Sequence, residues 1–168
     1  MPGSLSGEIV QINVSRGGIP KRSIPQGMLT PFGVEGDSWA HPDIHGGPKQ
    51  AVLLASIENI EALAAKGFAV SPGSLGENLT TRGLDFASLR IGNQLRAGQA
   101  LIEITKVRVP CSTLDPLGPG IEKAIFEKRV RDGDHTSPYW GVSGFYAAVL
   151  QPGLVFPRDI IALEATFA

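Results

Sequence analysis

The sequence predicts a mainly β fold with a few peripheral helices, and three observations carry that expectation. The 168 residues include 21 glycines and 13 prolines, a density of turns that suits short strands better than a helical bundle. The stretch EIVQINVS alternates apolar and polar residues with the period of a half-buried strand. It sets Val10, Ile12 and Val14 on one face and Gln11 and Asn13 on the other. Helical spacing is confined to two stretches, 56–67 and 120–130.

Each further element follows from local pattern. Residues 15–48 are rich in Gly and Pro and weakly periodic, which predicts short strands and ordered loops. QAVLLAS is a short continuous apolar run and predicts a buried strand. Ser56 is placed to cap a helix, because Ile57, Ile60, Leu63 and Ala64 follow at helical spacing and Lys66–Gly67 supplies a stop. From residue 71 to 111 the pattern reads turn, strand, turn, hairpin and long strand, with the turn at 96–98 joining two antiparallel strands. In that long strand Ile102 and Ile104 share one face, whereas Val107, Val109 and Cys111 have the other parity. A β-bulge near Thr105–Lys106 reconciles the two sets. GIEKAIFEKRV predicts a second helix, and GFYAAVLQPG and DIIALEATF predict closing strands around a turn at Pro152–Gly153. Neither repeat nor linker divides the chain, so one domain is expected over residues 1–168.

Charge and composition exclude several function classes. The formal net charge is -1, from 15 basic and 16 acidic residues spread along the chain, so nothing argues for a nucleic-acid or membrane-surface partner. The N-terminal stretch lacks the charged and apolar regions of a signal peptide, and the longest apolar runs are too short to span a bilayer. A single cysteine, Cys111, makes no internal disulfide and fits a cytoplasmic location.

Three stretches carry candidate chemistry, each beside a bland alternative. Cys111 ends an apolar strand after Pro110. It reads either as a small buried hydrophobe or as a functional sulfur directed into a cleft by the change of chain direction. Lys106, Arg108 and His45 are the cations that would favour its thiolate. A regular strand, however, sets Arg108 on the face opposite Cys111, so a bulge or a turn at Pro110 is required. The stretch GDSWAHPDIHGGPKQAV gathers Asp37, His41, Asp43, His45 and Lys49. His41 and His45 have the spacing of a helical zinc pair, but Pro42 and Gly46–Gly47 oppose a helix there. The same stretch also reads as a polar loop, or as an anion cradle in which Gly46 and Gly47 let the backbone approach while His45 and Lys49 supply charge. PGSLGENLTTRG, with Glu77, Asn78, Thr80, Thr81 and Arg82, offers donors for a phosphate or polar heterocycle, or is simply a turn and a strand. A hydrolase triad through Ser112 lacks the G-x-S-x-G elbow. RDGDHTSPYW reads as an exposed turn with Tyr139 and Trp140 packed behind it.

Four segments in order, GVEGDSWAHPDIHGGPKQAV, GSLGENLTTRGLD, IGNQLRAGQALIEITKVRVPC and GVSGFYAAVLQPGLV, resemble the MOSC domain family, named after the C-terminal domain of molybdenum cofactor sulfurases. The match spans about residues 33–164, and the chain resembles a stand-alone bacterial type similar to the 6-hydroxylaminopurine-resistance proteins. The resemblance implies a β-barrel-like fold of the MOSC or pyruvate-kinase-barrel type, with helices packed outside. It implies that Cys111 is the functional cysteine, as a thiolate ligand to molybdenum or as a persulfide sulfur carrier, with molybdenum cofactor (molybdopterin) bound nearby. Arg108, Lys49, His45, Asn78 and Thr80 are then candidates for holding the cofactor. Gly46, Gly47 and Gly76 would let the backbone approach, and Glu77 and Asp37 would orient neighbours or bond the pterin.

The chain also departs from relatives. Nothing in it encodes a pyridoxal-phosphate desulfurase domain, and one cysteine excludes an iron–sulfur cluster, so neither cofactor is expected. Arg158 stands before Asp159 where relatives often have Gly. Three functions are therefore expected in order: a molybdenum oxidoreductase reducing N-hydroxylated compounds or handling cofactor sulfur, a non-catalytic cofactor or persulfide carrier, and a zinc or thiol enzyme using Cys111 with His45. The first needs electrons from a separate reductase, and the sulfur-handling readings need a partner sulfurase.

Overall fold

The computed structural model of the protein describes residues 5–38 and 47–164. Seven strands close into a mixed barrel: β1 (Ser6–Val14), β5 (Val52–Ser56), β6 (Leu79–Arg82), β7 (Gln94–Ala97), β8 (Ala100–Val107), β9 (Phe145–Gln151) and β11 (Ile160–Leu163). Their order is β11-β7-β8-β9-β5-β6-β1, and pairing of β1 with β11 closes the ring, which removes the barrel's open edges. Three short strands, β2 (Arg22–Ile24), β3 (Gly27–Thr30) and β4 (Gly33–Val34), fill the expected loop region. The first extends β1, while β10 (Gly153–Val155), β3 and β4 form a small second sheet. This is the mainly β barrel that the sequence predicts.

The local elements arise from the expected signals. QAVLLAS forms β5, buried along its whole length. Ser56 caps helix α1 (Ile57–Ala65) by accepting a 3.2 Å hydrogen bond from the Asn59 N–H, a contact worth about 1 kcal/mol. Ile57, Ile60 and Leu63 face the core, whereas Ala64 is exposed. Gly67 ends the turn at φ 97°, a conformation in which a Cβ is strained. This helix is the crossover that lets β5 and β6 run parallel.

The bulge expected near Thr105–Lys106 is present. The β8–β9 register shifts between Ile104 and Lys106, leaving Lys106 opposite Tyr146. A second irregularity overturns the reading of β1: its pairing with β6 shifts between Ile9 and Gln11. Ile9, Ile12 and Asn13 are consequently fully buried, while Val10 and Val14 are only half-buried, because one extra residue moves every neighbour to the other face.

Two further expectations need correction. The second helix is broken into α2 (Ile121–Ile125) and α3 (Lys128–Arg131), with Phe126 extended between them. On one straight helix Ile121 and Val130 would point about 180° apart. The break instead lets Ile121, Ile125, Phe126 and Val130 all reach the core. The chain also does not fold β9 back on its successor at Pro152–Gly153. It continues into β10, which pairs with β3, and only β11 returns to pair with β7 and β1. Among the described residues no helix is long and apolar enough to cross a membrane.

Candidate functional site

The GSLGENLT loop and the start of the chain build one buried polar network. Asn78 splices β5 to β1. Its backbone N–H donates to Leu53 O and its C=O accepts from Asn13 N, each at 2.8 Å. Its side-chain Oδ1 accepts from Leu53 N at 3.0 Å, and its Nδ2 donates to Asn13 O and, at 2.8 Å, to Asp37 Oδ2. Asp37 also accepts from Ser15 N and from both approaches of the Lys21 ammonium, 2.7 and 2.8 Å away. Asn13 Nδ2 donates to Glu77 O and to Thr80 Oγ1, each at 3.1 Å, and Gln11 donates to Asn13 Oδ1. The loop can turn this tightly because Gly73 sits at φ 94°, where an added Cβ would lie 2.2 Å from Lys21 O.

Glu77 hangs from this network with one side unsatisfied. Its Oε2 accepts from Gly73 N at 3.0 Å and from the Thr80 hydroxyl at 2.8 Å, whereas its buried Oε1 has no partner. Burial pushes the carboxyl above the ordinary carboxylate range. The Gly73 N–H, the Thr80 hydroxyl, its own backbone N–H and the Arg108 charge oppose that shift.

Arg108 approaches from the far side, at the end of β8. Its backbone N–H donates to Gly144 O and its C=O accepts a 2.6 Å bond from the Ser143 hydroxyl. Its Nη1 reaches Ser143 O only at 3.4 Å, and its buried Nε has no partner. Burial lowers its pKa, while Tyr146, Cys111 and Glu77, all near enough to act on its charge, oppose that. Burial likewise raises the Tyr146 hydroxyl, eased by Arg108 and reinforced by Cys111. Cys111 is half-buried, and its Sγ lies 2.9 Å from Thr113 Oγ1. Arg108 and Cys111 are thus near enough for the thiol to act on the guanidinium charge.

The expected residues therefore divide. Arg108, Cys111, Glu77, Asn78, Thr80 and Asp37 belong to one electrostatic and hydrogen-bonded assembly. Gly76 borders it at φ 83°, its missing Cβ facing Ile19. Lys49 and Gly47 are exposed, on and beside a 3-10 turn over Pro48–Gln50, and the Lys49 carbonyl accepts from the Thr105 hydroxyl at the β8 bulge. Lys106 is exposed and pairs in register with Tyr146. His41, Asp43, His45 and Gly46 lie outside the described residues, and the histidine half of the zinc alternative lies there with them. Among the described residues no three His, Cys, Asp or Glu gather as metal ligands. Sequence reasoning missed Asn13, Lys21, Ser143 and Tyr146. A buried asparagine inside an alternating strand was one available signal, but Ser143 and Tyr146 acquire their place only by strand pairing.

The closed barrel carries a lone half-buried thiol, a buried guanidinium and a carboxyl oxygen without a hydrogen-bond partner. The chain belongs to the MOSC domain family, whose pattern matches residues 41–162. It is 37% identical over 93 residues to protein YiiM of Escherichia coli strain K12, covering 52% of this chain and 41% of that protein. It is 32% identical over 144 residues to the uncharacterized protein YflK of Bacillus subtilis strain 168, covering 83% and 60% respectively. The chain thus spans less than two thirds of the length of either relative. The crystal structure of YiiM from Geobacillus stearothermophilus is similar to this fold with a TM-score of 0.70 at 25% identity, over 95% of this chain and 75% of that one.

Proposed function

We propose that this protein binds molybdenum cofactor with Cys111 as its thiolate ligand to the metal, and that it reduces N-hydroxylated compounds by removing their oxygen atom. The observation that carries this reading is that Arg108 Nε and Glu77 Oε1, two of three unpartnered buried side-chain atoms among the described residues (Thr81 Oγ1 is the third), belong to groups near enough to act on each other's charge, with the single thiol also acting on Arg108. Buried polar atoms are almost always paired, so two bare ones together mark a place where a ligand completes the set.

The donor set fits the group. A pterin-dithiolene molybdenum cofactor combines a soft metal centre, a polar heterocycle and a phosphate, and supplies two-electron oxygen-atom chemistry when bound. Cys111 contributes the soft sulfur. Arg108 offers a permanent cation and a free N–H to an anionic oxygen. Glu77 Oε1 is a hydrogen-bond partner for a heterocycle edge. Asn78, Thr80 and Asp37 already spend their polar atoms inside the chain. They serve by holding Glu77 and the adjoining backbone in place. His45 and Lys49 supply further charge, and Gly46, Gly47 and Gly76 admit backbone contact. The unpaired thiol suits a reducing cytoplasm.

The test is protein produced in cells that synthesise the cofactor. Molybdenum and the fluorescent oxidation products of the pterin are expected near one per chain, and Cys111→Ala is expected to lose most of the metal. Full metal and full reduction of N-hydroxylated substrates in Cys111→Ala would overturn the reading. Bound cofactor without reduction, even with a supplied reductase, would favour the cofactor or persulfide carrier. Stoichiometric zinc would favour the zinc-thiol enzyme.

A further inference from the structure

A groove of about 240 Å3 runs along the outside of β8 and the segment leading to Cys111. Ile91, Val109, Phe126 and Val130 line its apolar part, and Lys106 and Arg131 line its charged part, with no carboxylate among the lining residues. Phe126 and Val130 are buried, but Ile91 is 49% and Val109 37% exposed. Single exposed apolar residues are ordinary, whereas two facing one groove form a patch.

The charges of this groove are uncommitted. Among the described residues no carboxylate pairs with Lys106 or Arg131, and the Arg131 guanidinium rests 5.3 Å over the Phe126 ring. The acids that follow in the chain are already taken: Asp132 lies 3.0 Å from Lys128 and Asp134 2.9 Å from Arg129. A chain of formal net charge -1 therefore presents here an apolar floor under an unneutralised positive rim. The position matters as much as the charge. Val109 precedes Cys111 by two residues, and two residues span at most about 7 Å of chain. A body seated on Val109 is thus close to the thiol.

We infer that this groove is the docking surface for a small acidic electron-carrier protein that reduces the centre at Cys111. The inference rests on the reductase reading above. Converting a hydroxylamine N–OH to the amine N–H and water takes two electrons and two protons. Two successive one-electron deliveries by reduced carriers of the flavin or iron–sulfur class supply the electrons, each carrier leaving oxidised by one electron, and solvent supplies the protons. Carboxylates on the carrier meet Lys106 and Arg131, and an apolar side chain fills the space between Ile91 and Val109. Such redox encounters are small and are steered by complementary charge, so two cations at the rim have a large share in them.

The test uses oxidised flavodoxin, a small acidic carrier of flavin mononucleotide, titrated at low salt into the isotope-labelled full chain while amide signals are followed by NMR. Shifts are expected to cluster at Ile91, Lys106, Val109 and Arg131, and to weaken at high salt. The charge reversal Lys106→Glu/Arg131→Glu is expected to weaken binding about tenfold or more while the amide signals of β5 and β6 stay in place. Turnover of the loaded protein with a chemically reduced viologen should be unchanged. Shifts on another face, equal binding by the reversed variant, or concentration-dependent shifts of the same residues without flavodoxin would each overturn the inference, the last by giving the groove to a second copy. Loss of viologen turnover in the unmodified protein would instead strike the reductase reading, because the shift map reads docking without any turnover.

Discussion

Lys21 Nζ lies 2.7 Å from Asp37 Oδ1, with side chains only 8% and 3% exposed, so a full ion pair is buried between the approach to β2 and the loop after β4. Taking two charges out of water is costly, and the arrangement holds because Ser15 N and Asn78 Nδ2 satisfy the remaining acceptor positions of Asp37. Removing one partner leaves the other charge buried alone. Lys21→Met is expected to lower stability by about 3–5 kcal/mol in denaturant unfolding. Lys21→Met/Asp37→Asn should recover a good part of that, since no bare charge remains. Equal losses in the single and double variants would show that packing, not charge, dominates.

Glu77 makes stability depend on pH. Its folded-state pKa is raised by burial, so the folded protein holds a proton that the unfolded chain releases more readily. Its contribution is present below the ordinary carboxylate pKa and is lost as pH rises through the raised value. Glu77→Gln keeps the shape and cannot ionise. Denaturant unfolding at several pH values should therefore show the variant gaining on the native protein as pH rises above the ordinary carboxylate range. A constant difference across that window would contradict the assignment.

Arg158 is the one described non-glycine residue at positive φ, 78°, and its N–H donates to Ile9 O where the chain leaves β10 for β11. A Cβ is disfavoured in this region, whereas glycine enters it freely. Arg158→Gly is expected to raise stability by about 0.5–1 kcal/mol, read from the thermal or denaturant midpoint. The positive φ favours glycine here, and nothing in the structure explains the arginine that stands in its place. A loss of stability would mean that the arginine side chain contributes more than its backbone costs.

Asp134 is held at about 2 by the Thr136 hydroxyl and N–H, with Arg129 adding to them. Its depressed pKa means that the contribution to stability is present above the ordinary carboxylate value and fades as pH falls toward about 2. The side chain is 38% exposed and the carboxyl is reached by solvent, so the readout is its own titration, not unfolding. Thr136→Val should move the carboxyl upward when followed by carbon NMR, and an unmoved titration would assign the shift to Arg129 instead.

Some of this was legible because its cause is local. A serine before apolar residues at helical spacing caps a helix whatever surrounds it, and Ser56 does so. The parity change between Ile104 and Val107 requires an extra residue in any sheet, and the bulge lies at Thr105. The second bulge, at Val10, escaped because β1 has apolar residues on both parities, and only its pairing with β6 decides which set faces inward. The break at Phe126 escaped because a continuous helix satisfies the local pattern equally well.

The sequence by itself determined the mainly β class, the buried β5, the capped α1 and the family to which the chain belongs. Each rests on spacing within a few residues or on the order of recognisable segments. The tertiary structure decided what surrounds the thiol. Arg108 meets Ser143 across 35 residues and Asn78 meets Asp37 across 41, distances over which residue patterning carries no information about contact. Pairing of β8 with β9, of β9 with β5, of β5 with β6 and of β6 with β1 brings those segments to one place. Burial there leaves Glu77 Oε1 and Arg108 Nε unpaired, and water exclusion is a property of the closed barrel that no stretch of the chain possesses alone.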